Sequence, residues 1–393
     1  IWANDTTSFA GSITARGGSI SGNGGSVETS GKQTLAIIGG RVNTTATNGQ
    51  TGSWLLDPAD FTIGSGMTGT NYWNNSDLQI ALATNNITIK TGGSANTVTV
   101  GAAAPVATDT STGSSNGDIN VNNNLTWTSA NTLTLSAYNN INLNASITAA
   151  NGGLTLAANT SGSGNGTTTG IITPAAGSSV NVGTFTQQSG TWREISGSLS
   201  SFYAKDFRIS GGTFLRAKSG NGASTGTAYQ IADVYGLQGI GSAGLLGSYY
   251  TLANNIDASG TQYWNYNGST AAGFAPIGND SATFSGSFNG AGHTITGLTI
   301  NRSSSSNVGL FGCFSGAISN MGLVGVRAAG LNNVGGLVGR KLSGNITGSY
   351  STGEVTGSSS AGGLVGVNSG SIENSYSTGA VTGGSGSGYV GGL

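Results

Sequence analysis

The pentapeptide Gly335-Gly-Leu-Val-Gly339 returns as Gly362-Gly-Leu-Val-Gly366, 27 residues on, and begins again at Gly391. Between these copies Ser349-Tyr-Ser-Thr-Gly353 returns as Ser375-Tyr-Ser-Thr-Gly379, 26 residues on. Val308-Gly-Leu-Phe-Gly312, followed by Ile318-Ser-Asn320, is an earlier and degraded copy. So regular a spacing leaves few architectures open. Each repeat is too small to bury an apolar face alone and must stack on its neighbours. Glycine permits the tight corners and leucine fills the interior of such a coil.

A second, shorter period lies upstream. Ile119 and Val121 recur as Ile141 and Leu143, a shift of 22, and Leu133 and Leu135 recur as Leu154 and Leu156, a shift of 21. Side chains at i and i+2 of a strand share a face, so these pairs stack inside successive coils. The coils would pair through parallel backbone hydrogen bonds about 4.8 Å apart. Strand-length alternations also occur at Phe9–Ala15, Gly25–Ser30 and Leu35–Val42, before an apolar knot at Trp54-Leu-Leu-Asp-Pro58 and Phe61-Thr-Ile63. Aromatic and charged residues cluster over 185–240, where a junction between two solenoid segments is expected. The expected fold is all-β, a parallel β-solenoid in the form of an elongated rod. Its expected parts are a shaft over 1–215, a connector over 216–275 and a repeat solenoid over 276–393.

Charge decides what such a rod can do. Charged residues make up 7% of the chain and the formal net charge is −1, which offers no broad basic surface to nucleic acid. Disorder, the rival reading for a chain with 71 glycines, pairs low hydrophobicity with high net charge, whereas this chain is 36% hydrophobic. A single cysteine, Cys313, rules out an intramolecular disulfide framework. The start, Ile1-Trp-Ala-Asn4, is no signal peptide, and no apolar run of about 18 residues is present to span a bilayer. The last residues, Gly391-Gly-Leu393, fall inside a repeat, as in a piece of something longer.

The C-terminal repeats resemble the GLUG motif of bacterial surface and secreted proteins. Phe284-Ser-Gly-Ser-Phe-Asn-Gly-Ala-Gly-His-Thr-Ile295 and Gly297-Leu-Thr-Ile300 resemble the lead-in to it. Upstream, Gly24-Gly-Ser-Val-Glu-Thr-Ser-Gly31 and Trp54-Leu-Leu-Asp-Pro58 are similar to filamentous-haemagglutinin-like exoproteins of the two-partner secretion pathway. These resemblances are weakest over 60–115 and 216–260. They imply a right-handed parallel β-helix, export through a dedicated outer-membrane transporter, and adhesion or a biofilm-matrix role at the bacterial cell surface.

Candidate chemistry is sparse. Enzymes built on β-helices need clustered carboxylates to move protons, and the 14 acidic residues here are scattered. No catalytic residue, metal ligand or cofactor site is expected. Asp57 and Asp60 flank Pro58 and read as turn residues. His293, the only histidine, has no partner for a zinc site and sits in a Gly-rich turn. Cys313 reads as a small buried hydrophobe, and the glycines of 383–388 are too common in this composition to signal phosphate binding. Threonine spacing at Thr84–Thr88 and Thr132–Thr134 falls short of the long ladder an ice-binding face needs.

Two near-identical clusters, Tyr72-Trp73-Asn74 and Tyr263-Trp264-Asn265 with Tyr266, remain. Their rings could stack on sugars while the amides bond hydroxyls, or they could plug the corners of coils. The leading expectation is a non-catalytic adhesin shaft that touches extracellular polysaccharide or other cell-surface molecules. The alternative is a glycan-binding β-helix module, and burial of Trp73 and Trp264 would remove these rings from it.

Overall fold

The computed structural model describes residues 1–66, 69–92, 117–160, 170–384 and 388–393. It is almost wholly β, and every pairing between its strands is parallel among the described residues. The chain divides into two compact units. The first holds 1–193, 200–204 and 210–212, and the second holds 194–199, 205–209 and 213–393.

Two long stacked sheets dominate the first unit, beside a small pairing of Ser12–Thr14 with Arg41–Asn43. One carries, in order, Trp2–Ala3, Ser26–Gly31, Ser53–Asp57, Asn86–Lys90, Thr132–Ser136, Ile147–Ala157 and Ser179–Ser189. The expected period is visible in the register: Leu133 and Leu135 lie opposite Leu154 and Leu156, and all four are fully buried. In the other sheet Ile119 and Val121 lie opposite Ile141 and Leu143. Each coil thus shelters the same inward pair, and each strand edge is covered by the next coil.

One strand breaks this order. Tyr72–Asn74 follows Phe61–Gly64 in the chain but lies between Thr34–Ile37 and Phe61–Gly64 in the sheet. Asn71 stitches it in place. Held in the left-handed region (φ 57°), Asn71 donates its N–H to Leu35 O (2.7 Å), accepts from Leu35 N–H on Oδ1 (2.8 Å), and offers its carbonyl to Thr62 N–H (2.9 Å). Asparagine tolerates that backbone because its short side chain bonds locally.

In the second unit the 27-residue repeat resolves into one coil of four strands. Val338–Lys341, Asn345–Thr347, Tyr350–Gly357 and Ser360–Gly362 form one turn; Val365–Asn368, Ser371–Glu373, Tyr376–Ser377 with Ala380–Gly383, and Tyr389–Gly391 form the next. Ile346 faces Ile372, Val338 faces Val365, and Tyr350 faces Tyr376 across the two turns. Leu337 and Leu364, the leucines of the two pentapeptides, are fully buried.

Candidate functional site

The central rings of the aromatic clusters are core, and the sugar-stacking expectation is corrected for them. Trp73 is 2% exposed and Trp264 is 1% exposed. Trp73 packs edge-on against Trp54 with ring centroids 5.0 Å apart, and Trp54 in turn meets Phe9. Tyr72 is buried as well, and Asn74 precedes the helix Asn75–Leu82. Trp264 stacks on Tyr235 (5.5 Å, 23° between planes) and touches Phe207 and Phe274. The physical reason is area. Irregular turns leave gaps that small repeat residues cannot fill, and an indole buries more apolar surface than any other side chain.

Asn265 is structural too. It sits at φ 55°, donates Nδ2 to Gly273 O (2.8 Å) and donates its backbone N–H to Asp206 Oδ1 (2.7 Å). Arg208 pairs with Asp206 and donates to Tyr266 O (2.6 Å), which clamps this turn. Tyr263 and Tyr266 stay about half exposed, with Lys205 Nζ 5.7 Å from the Tyr263 ring centroid. Of the seven residues considered for sugar contact, only these two present ring surface to solvent.

The scattered charges meet in one place that their spacing did not reveal. Arg216, 4% exposed, pairs with Glu194 and with Asp233 (2.7 Å from Nε). Asp233 also caps the helix Val234–Gly239 by accepting Gly236 N–H on Oδ1 (2.8 Å). The triad is saturated by its own members and by a helix cap, which suits a structural role. Among the described residues no group of three or more His, Cys, Asp or Glu is placed to hold a metal.

The remaining singled-out residues are tied to the backbone or core. Asp60 accepts the N–H groups of Gly117 and Asp118 from the next coil, and Asp57 lies 3.7 Å from Lys90 Nζ; burial pushes both carboxyls above their ordinary range. His293 closes a turn, donating its N–H to Gly290 O (2.8 Å). Cys313 is fully buried and donates its thiol to Asp280 Oδ1 (3.3 Å). Residues 385–387 of the glycine-rich segment lie outside the described residues.

The outer surface is built from uncharged columns. Asn142 donates to Asn120 and Asn144 to Asn122, each at 2.8 Å between successive coils. Thr88, Thr134, Thr155 and Thr186 form an in-register row on the first sheet. The row beside it reads Asn86, Thr132, Gly153, Thr184, and this interruption leaves no continuous two-row threonine plane of the kind an ice-binding face requires.

Residues 357–382 match the family described as the GLUG motif. That stretch runs from the end of one long strand round to the strand stacked on it, so the motif is one turn of the coil. The chain is also similar to halomucin of Haloquadratum walsbyi, at 36% identity over 148 residues. The shared stretch is 37% of this chain and 2% of halomucin, a relative several thousand residues long. No solved structure matches the chain.

Proposed function

We propose that this chain is a non-catalytic structural segment of a very large cell-surface protein that attaches cells to one another or to an extracellular matrix. The observation that carries the reading is that the GLUG stretch, 357–382, is one coil of a stack in which each turn covers the strand edges of the last. Such a stack extends by adding turns without needing a new core. The likeness to halomucin supports it, because there a comparable stretch is a small part of an enormous chain. No helix among the described residues is long and apolar enough to cross a membrane.

The finer form of the proposal is an adhesin shaft, exported unfolded through an outer-membrane pore by two-partner secretion. The lone cysteine supports it, since no disulfide can lock the chain before transit. The upstream resemblance at 24–31 and 54–58 points the same way. Antibodies against this chain should label intact source cells, and mild external protease should remove the signal. Labelling that appears only after permeabilisation defeats the cell-surface reading.

A further inference from the structure

In the first unit the same corner recurs in three successive coils: after Ile119–Val121, after Ile141–Leu143 and after Ile171–Pro174. Together these corners form an open groove of about 450 Å³. Asn122, Asn123, Asn124, Asn144 and Ser146 line it, with Asn75 from the adjoining helix, and no charged side chain takes part.

Part of this amide set holds the corners together. Asn124 Oδ1 accepts Ser146 N–H (3.0 Å), Ser146 Oγ accepts Ser179 N–H (3.0 Å), and Asn75 Nδ2 donates to Asn124 O (3.0 Å). These bonds fix the groove's shape from coil to coil. The other ends are uncommitted among the described residues: the whole Asn123 amide, Nδ2 of Asn122 and Asn124, and Oδ1 of Asn144 and Asn75. Each amide offers two donor protons or an acceptor with two lone pairs. The result is a preformed cluster of donors and acceptors, densest on the corner of Asn122, Asn123 and Asn124 and continued on the next coil by Asn144 and Ser146, about 4.8 Å on.

We infer that this groove binds an uncharged, extended polysaccharide lying along the coil axis. Hydroxyls, which donate and accept, match such a cluster, whereas an anionic or cationic ligand would find no countercharge. One sugar would meet the three amides of Asn122, Asn123 and Asn124, and its neighbour Asn144 and Ser146 on the next coil. Because the groove is already built, little ordering cost falls on the protein. This site is separate from the buried tryptophan clusters and independent of the attachment role proposed above.

The test is an NMR titration of the whole chain, following side-chain amide signals, with cellohexaose, mannohexaose and an alginate hexamer. Saturable shifts at Asn122, Asn123, Asn124 and Asn144 with a neutral hexamer, and none with alginate, are expected. Asn123→Ala removes no bond within the protein, so it should leave the melting temperature unchanged and weaken binding about fivefold, the effect of one ordinary hydrogen bond. Absence of shifts at these amides with both neutral hexamers overturns the inference. So does equal binding by Asn123→Ala, or alginate binding in the groove as tightly as the neutral sugars.

Discussion

A Cβ added to Gly336 would stand 2.2 Å from Ser351 Oγ and 2.7 Å from the carbonyl oxygen of Gly363 in the next coil. The relationship repeats one turn on, where a Cβ at Gly363 would meet Ser377 Oγ at 2.2 Å. The second glycine of the pentapeptide and the serine after the tyrosine are thus two sides of one contact. Both recur because each coil must bring its corner against its own long strand. Gly336→Ala should therefore cost about 1–3 kcal/mol through overpacking against backbone that has little room to move. Ser351 Oγ is buried without a partner, so Ser351→Ala should be neutral or stabilising. Chemical denaturation of the two variants checks the opposite signs.

Trp54 and Trp73, which pack against each other in the first unit, differ in one bond. Trp54 Nε1 donates to Thr29 Oγ1 at 2.9 Å, whereas Trp73 Nε1 is buried with no acceptor. Replacement by Phe removes similar volume at both sites. Trp54→Phe also strands the Thr29 hydroxyl, while Trp73→Phe removes an uncompensated donor. Trp54→Phe should be more destabilising by about 1–2 kcal/mol in urea titrations. Equal costs would count against the buried-donor account.

Six ion pairs are formed among the described residues, and only that of Arg216 with Glu194 is buried on both sides. Surface pairs are weak and screened, whereas a buried network is screened little. The melting temperature should hardly move between low salt and about 1 M NaCl. Arg216→Met, by contrast, should cost about 3–5 kcal/mol at any salt concentration, because it leaves two carboxylates facing a partner that is gone. Thermal scans of both proteins across salt concentrations provide the check.

Cys313 supplies a pH signature. Burial, and then the Asp280 carboxylate that accepts its proton, push the thiol up to about 11. An acid whose folded pKa is raised binds its proton longer folded than unfolded. Its contribution is therefore intact below the unfolded value of 9.0 and is lost as pH rises from there through about 11. Cys313→Ala should lose less stability than the parent protein over that window. Native Cys313 should stay unreactive toward iodoacetamide at about pH 8, because the thiolate is the nucleophile; labelling at the rate of the unfolded chain contradicts the burial.

Much of the architecture was legible because it is written periodically. The inward pairs Leu133/Leu135 and Leu154/Leu156 lie opposite each other as their spacing requires, and the GGLVG copies fall at equivalent corners one coil apart. The groove was not legible. Its six side chains come from a helix and from successive corners, and nothing in the run Asn122-Asn-Asn124 says which amide ends the neighbouring coil will occupy.

The sequence by itself determined that this chain is a parallel β-solenoid of sparsely charged surface, since alternation and repeat length act locally and identically in every coil. Only the tertiary structure decided that Tyr72–Asn74 slots out of order between two earlier strands, that Trp73 and Trp264 turn inward, and that Arg216 meets Glu194 and Asp233. Those outcomes depend on which gap a long side chain finds once the coils have stacked. That gap is shaped by residues far away in the chain, so no local pattern encodes it.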